Sequence, residues 1–249
     1  MTVAFVAVGT LLTLAPLRRL AALSFRFGLL FGELPFLAFY WLLLWTVSAF
    51  WQGDVGSPGG WAVAGLAVLT TAGLAVVVRR GLLARPAAEH ALAEGLGAGW
   101  RSALDVRPRH RLPLTGHLAA LAALTPGAPV FQTGFEDADT SVTAAICLNG
   151  YYGNYYGQGA DSSPMAYLSA EAPPFFIAHG DRDTVVPVES ARLFAASLRS
   201  TSANPVVYVE LPGAQHAFDL FHSVRFETVV DAVEDFAAWV RSREKTRRT

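Results

Sequence analysis

Apolar residues crowd the first third of the chain into three runs, Val3–Leu17, Phe27–Phe50 and Trp61–Val78. A helix rises about 1.5 Å per residue, so about 20 apolar residues cross a 30 Å hydrocarbon core. The second run meets that length with tilt, and the third nearly does. The first is short and carries Pro16. It reads as a span or an interfacial helix. A cleaved signal segment is the competing reading, but no basic stretch precedes the run. Pro35 is expected to kink the second run. Glu33, about one and a half turns into that run, reads as a carboxylate within reach of the interface, the functional alternative being an intramembrane site.

From residue 116 the periodicity changes. "GHLAALAALT" reads as a helix, and "SVTAAICLNG", "PPFFIAHG" and "NPVVYVELPG" are continuous apolar runs of strand length. Such runs fit strands buried on both faces. Between the second and third lies "VESARLFAASLRS", with Leu193, Phe194 and Leu198 on one side of a helix. "SVRFETVVDAVEDFAAWVRSRE" follows, with an apolar stripe of Phe226, Val229, Val230, Val233, Phe236 and Val240. Helices alternating with buried strands predict a parallel sheet covered on both faces. The domain plan is therefore an all-α transmembrane anchor over 1–80, an amphipathic connector and basic linker over 81–115, and an α/β region over 116–249.

Composition supports the anchor. The chain of 249 residues is 53% hydrophobic and 16% charged, against about 25% charged in ordinary soluble domains. Mean hydropathy is +0.36. The charge deficit is concentrated before residue 80. Arg18, Arg19 and Arg26 lie between the first two runs, and Arg79, Arg80 and Arg85 follow the third. The loop "WQGDVGSPGG" has no basic residue. The positive-inside rule then predicts a multi-pass membrane protein with its C-terminal region on the cytoplasmic side, and the lipid bilayer is its first expected partner. A formal net charge of −1 gives no pull toward nucleic acid. The single cysteine, Cys147, excludes an internal disulfide and reads as a buried small hydrophobe.

In sheets of this kind chemistry sits in loops at the carboxyl ends of strands. "HGDRDTVVP" follows the second strand with His179, Asp181 and Asp183, and "PGAQHAFD" follows the third with His216. An Asp and a His from adjacent loops can converge, the carboxylate fixing the imidazole tautomer. "NGYYGNYYGQG" after the first strand reads as a lid or packing loop, with a substrate-facing loop as the alternative. "FEDADT" lacks the spacing of an EF-hand. His117 and His222 have no partners at metal spacing, so no metal or cofactor is expected.

"HGDRDTVVP", "GAQHAF" and "GHLAALAALT" together resemble the α/β-hydrolase superfamily, in its esterase/lipase branch, which is also similar to prolyl oligopeptidase catalytic domains. The resemblance covers about residues 116–241. It implies an ester-hydrolysing Ser-Asp-His triad acting on a small ester substrate, with Asp183 in the place of the acid and His216 in that of the base. Asp181 fits the pattern less well and reads as a turn or solvated residue. The family's serine precedes by four residues the His that matches His117. That position is Pro113, and no G-x-S-x-G occurs in the chain. The oxyanion motif is missing too. Thr115 is the nearest hydroxyl, and Ser162 is another candidate to complete the dyad.

No strand-like run lies between Val78 and Thr115, so the fold expected is a truncated α/β-hydrolase-like parallel sheet with its last three strands. An internal deletion, or an error in the coding sequence, near "RHRLPLTGHL" accounts for both absences. Little or no activity is expected. The alternative is a non-enzymatic membrane protein whose remnant binds a protein partner at the exposed edge of its first strand.

Overall fold

The computed structural model describes residues 1–104, 116–154 and 158–248. They form two compact units. The first comprises Met1–Ala84, Gly180–Val185 and Leu211–Glu227, and the second Arg85–His179, Val186–Glu210 and Thr228–Thr249.

The first unit opens with α1 (Thr2–Leu14), α2 (Ala21–Glu33), α3 (Pro35–Trp51) and α4 (Pro58–Leu82). Pro16 keeps Ala15 out of the helical region, at φ −139°, and α1 stops. Pro35 acts more sharply than a kink. It removes an N–H and pushes Leu34 to φ −123°, ψ 49°, and the long apolar run becomes two helices bent by 89°. α4 starts on two signals, Pro58 in its first turn and the Ser57 hydroxyl, which accepts from Gly60 N at 3.1 Å. Hydroxyls inside these apolar helices turn back on their own backbone. Thr10, Thr13 and Thr70 each donate to the carbonyl four residues earlier, at 2.7–2.8 Å. Arg80 Nη1 donates to Leu14 O at 3.2 Å, which satisfies one of the open carbonyls at the end of α1. Among the described residues, Pro58–Leu96 is the one helix long and apolar enough to cross a membrane, and α2 with α3 pass the same test only when joined across their bend.

The second unit holds α5 (Ala84–Leu96), α6 (Gly116–Leu124), β1 (Ala145–Leu148), β2 (Phe175–Gly180), α7 (Val188–Thr201), β3 (Val206–Leu211) and α8 (Val224–Arg248), apart from terminal residues that fall in the first. The strands form one sheet in the order β1-β2-β3. β1 and β2 run parallel, with Ala145 opposite Phe175 and Leu148 opposite Ala178. Phe175 N donates to Pro205 O and Asp181 N to Leu211 O, start to start and end to end, as parallel strands require. All six residues of β2 are buried, consistent with its unbroken apolar run. β1 is shorter than its run, only four residues. The result is a three-stranded sheet with helices between its strands, as the alternating pattern predicts.

The core of this unit packs Cys147, Phe175, Ile177, Phe194, Leu198 and Val206 together. Tyr152 stacks on Phe194 with ring centroids 4.2 Å apart. α7 buries Phe194 and Leu198 as expected, but Leu193 is 60% exposed, because the face is completed by the small residues Ala191 and Ala195. In α8 the buried line is Val229, Ala232, Phe236 and Val240, and Val230 and Val233 are only partly covered. α5 does more than connect. Ala88, Ala91 and Leu92 are buried, and Gly95 lies so close to β3 that a Cβ there would sit 3.1 Å from Val206 O.

On β3, Glu210 accepts from Arg192 Nε at 2.7 Å, from Arg192 Nη2 at 2.5 Å and from the Tyr208 hydroxyl at 2.9 Å. The Arg192 bonds hold the Glu210 carboxyl below its ordinary value. A carboxylate depressed in this way stabilises the fold above its unfolded pKa and loses that contribution as pH falls through the folded value. The pair is partly exposed, which limits it to about 1 kcal/mol. We expect wild type to out-melt Glu210→Gln at pH 7 and the gap to close as pH falls below the ordinary carboxylate range.

Candidate active site

The loops after β2 and β3 leave the same end of the parallel sheet, and both belong to the first compact unit. The strand ladder continues into them, with Arg182 N donating to Ala214 O at 3.0 Å. Gly180 permits this approach, since a Cβ there would sit 2.5 Å from Ala214 O. Gly213, at φ +74°, makes the turn that brings the second loop back. Its N–H donates to Asp181 Oδ1 at 2.7 Å. Asp181 is thus a cross-loop tie and more than a solvated turn residue.

Asp183 and His216 meet. Asp183 Oδ2 lies 2.8 Å from His216 Nδ1, and Asp183 Oδ1 accepts from Val185 N at 2.8 Å. The Asp183 side chain is wholly buried and that of His216 is 27% exposed. A carboxylate only accepts, so the proton of the neutral ring sits on Nδ1 and the Nε2 lone pair is left for chemistry. This is the orientation a general base needs. Ala217, next in the chain, stands at φ +58°, a backbone conformation that costs a non-glycine residue roughly 1–2 kcal/mol.

Gln215 joins the two loops. Its Oε1 accepts from Thr184 N at 3.0 Å, Thr184 Oγ1 at 3.1 Å and His216 N at 3.3 Å. It therefore holds the residue after Asp183 against the residue before and the backbone of His216. Nothing in "GAQHAF" marks it for this role, because a glutamine beside a histidine is ordinary surface composition.

Glu33 is buried against this region and does not reach outward to an interface as its place in the run suggests. Its carboxylate accepts from Ser223 Oγ at 2.6 Å and pairs with Arg225 Nη1, while Arg225 Nη2 donates to Pro212 O at 3.2 Å. The physical reason is the demand of a buried charge for a partner. That partner lies at the far end of the sequence, 192 positions away.

The other described candidates have partners of their own. His179 is buried at the end of β2, with Nε2 2.9 Å from Val186 O. His117 Nδ1 lies 2.6 Å from Tyr151 O in the second unit. Ser162, also in the second unit, donates to Gly159 O at 2.8 Å. Pro113 and Thr115 lie outside the described residues. Burial pushes the Cys147 thiol up to about 12, which leaves it protonated and no nucleophile. Tyr152 is packing, wholly covered on Phe194. In the "FEDADT" loop Glu136 accepts from Gly134 N at 2.8 Å and Asp139 from Ser141 N at 2.9 Å, and no metal-ligating cluster occurs among the described residues.

Residues 132–198 match the BD-FAE family model. The probable carboxylic ester hydrolase LipM of Mycobacterium tuberculosis is 45% identical over 151 residues, which cover 50% of this chain and 35% of LipM. Esterase LipQ of the same organism is 41% identical over 155 residues, covering 51% of this chain and 36% of LipQ. The chain thus spans about a third of the length of these curated relatives. A solved structure of Thermogutta terrifontis esterase 2 aligns at 27% identity over 49% of this chain and 50% of its own, with a TM-score of 0.42.

Proposed function

We infer that this chain, whose sheet-bearing part is an α/β-hydrolase region of the esterase/lipase type, is a membrane-anchored esterase-type protein that keeps the acid and base of a triad and lacks the nucleophile. The single observation that carries the reading is the 2.8 Å contact between Asp183 Oδ2 and His216 Nδ1, made by the loops after two successive strands. In a complete site His216 Nε2 takes the proton of a serine hydroxyl as the serine attacks the ester carbonyl. The ring then returns that proton to the leaving alcohol, while Asp183 stabilises the imidazolium. Water repeats the cycle on the acyl-enzyme. Here Pro113 stands where the serine belongs, and a proline has nothing to deprotonate. Loss of one oxyanion donor alone costs about 10²–10³ in rate. Loss of donors and nucleophile together leaves hydrolysis at background. The ester substrates named for the relatives mark the chemical class this site descends from.

The anchor reading draws on Pro58–Leu96, whose most apolar window is only 22% buried, whereas a core helix of the same composition is largely covered. α3 adds exposed Phe36, Leu37, Trp41, Leu44 and Trp45, a patch suited to lipid. With the basic residues at 18, 19, 79, 80 and 85 on the inner side, residues 1–80 form the anchor, and the region from 116 to 249 faces the cytoplasm. Span number follows from whether the bent pair α2–α3 crosses or re-enters. A second reading, a remnant that binds a protein partner, draws on β1, which pairs on one side only among the described residues.

A fluorophosphonate probe tests the reading. The full chain in mild detergent is expected to stay unlabelled, and to remain with the membrane after alkaline extraction. Stoichiometric labelling abolished by His216→Ala would overturn the missing-nucleophile reading, and release by alkali would overturn the anchor.

A further inference from the structure

One face of α2 lies along the loops that carry Asp183 and His216. Thr184 Oγ1 lies 3.4 Å from Ala21 O. The Phe25 ring stands edge-on to the His216 imidazole, with centroids 6.5 Å apart. Gly28 is pressed on Gln215, so that a Cβ there would lie 2.6 Å from Gln215 Cγ and 3.1 Å from Nε2. A Cβ on Gly32 would sit 3.9 Å from Gly213 O. Positions 21, 25, 28 and 32 follow the spacing of a single helical face. The helix ends in Glu33, held by Ser223 and Arg225. An anchor helix needs none of these polar contacts. Two glycines on its buried face each cost about 1 kcal/mol of helix propensity.

The central contact has a direct mechanical consequence. Gln215 Oε1 accepts from the backbone on both sides of the pair, at Thr184 N and His216 N. Its amide is wedged between those bonds and Gly28, and Nε2 is buried with no hydrogen-bond partner among the described residues. An unpaired buried donor is costly, and the flat seat on Gly28 is what holds the amide there. Anything that lifts Gln215 off α2 moves both loops.

We propose that α2 is a positioning element for the Asp183–His216 pair, with Gly28 acting through Gln215 and Phe25 acting on the imidazole directly. The proposal rests on the reading of Asp183 and His216 as the retained acid and base. It makes the N-terminal segment part of the site and not only its tether.

The test uses the full chain in detergent, labelled with ¹⁵N-histidine. A hydrogen-bonded imidazole N–H opposite a buried carboxylate gives a far-downfield proton resonance, and Asp183→Asn identifies it by removing it. Gly28→Ala improves helix propensity in α2 yet drives a methyl into Gln215, and it is expected to abolish the resonance. Phe25→Ala is expected to broaden or shift it. Leu30→Ala, on an exposed part of α2, should leave it unchanged. Carbethoxylation of buried His179 reports unfolding in every variant. If Gly28→Ala exposes His179, Phe25→Ala decides by the same resonance. An Asp183-dependent resonance that survives both Gly28→Ala and Phe25→Ala would overturn the positioning role and leave the pair intact. A wild type with no Asp183-dependent resonance would overturn the reading of the pair, and the proposal with it.

Discussion

Replacing Arg225 with methionine is expected to lower the stability of the chain by about 3–5 kcal/mol. The Glu33 and Arg225 side chains are 0% and 1% exposed. Without Arg225 the Glu33 carboxylate stays buried with only the Ser223 hydroxyl as a partner among the described residues, and a buried charge that loses its counter-ion carries its full desolvation cost. Pro212 O also loses a donor. The pair itself is a weaker asset than this loss implies. Arg225 Nε is buried without a partner among the described residues, so the ion pair is not fully satisfied, and an apolar replacement of both partners removes two desolvation penalties at once. Glu33→Leu with Arg225→Met is therefore expected to lie well above the single mutant in stability. Thermal and denaturant melts of the four corners of this cycle in one detergent measure it. An Arg225→Met variant within about 0.5 kcal/mol of wild type, as surface changes are, would mean that the contact does not form.

Phe194→Ala is expected to cost about 3–5 kcal/mol in the second unit. The ring is wholly buried, parallel to Tyr152 at 4.2 Å and edge-on to Phe175 at 5.8 Å. Aromatic contacts of this kind add to area burial. Its removal leaves a cavity between α7 and the sheet that Ala191 and Ala195 are too small to fill. The adjacent Leu193→Ala serves as the control. Leu193 is exposed, so its loss should fall within about 0.5 kcal/mol. Equal effects at 193 and 194 would mean that α7 packs by a different face.

The contrast between those neighbours also marks what the sequence discloses. β2 and β3 were legible because a strand buried on both faces must be continuously apolar. The meeting of Asp183 and His216 was legible because parallel strands deliver their following loops to one end of the sheet, and because the surrounding motifs resemble a known family. The faces of α7 and α8 were misjudged where alanine completes the stripe, since Ala191, Ala195 and Ala232 carry little hydrophobic signal but fit close to a sheet. The break at Leu34 was foreshadowed by Pro35, though not its angle. Long-range partners were not legible at all. Glu33 looks like a misplaced charge until Arg225 stands beside it, and Gly28 looks like a helix defect until Gln215 lies on it. Periodicity constrains which face of an element is buried and says nothing of what buries it.

The central claim is that an acid–base pair has persisted without a nucleophile to serve. Hydrolysis of p-nitrophenyl butyrate by the detergent-purified full chain, run beside His216→Ala and a no-protein blank, tests it most directly. The account predicts that both proteins match the blank. Turnover by the parent that His216→Ala abolishes would contradict it, and would place a working nucleophile within reach of His216 Nε2.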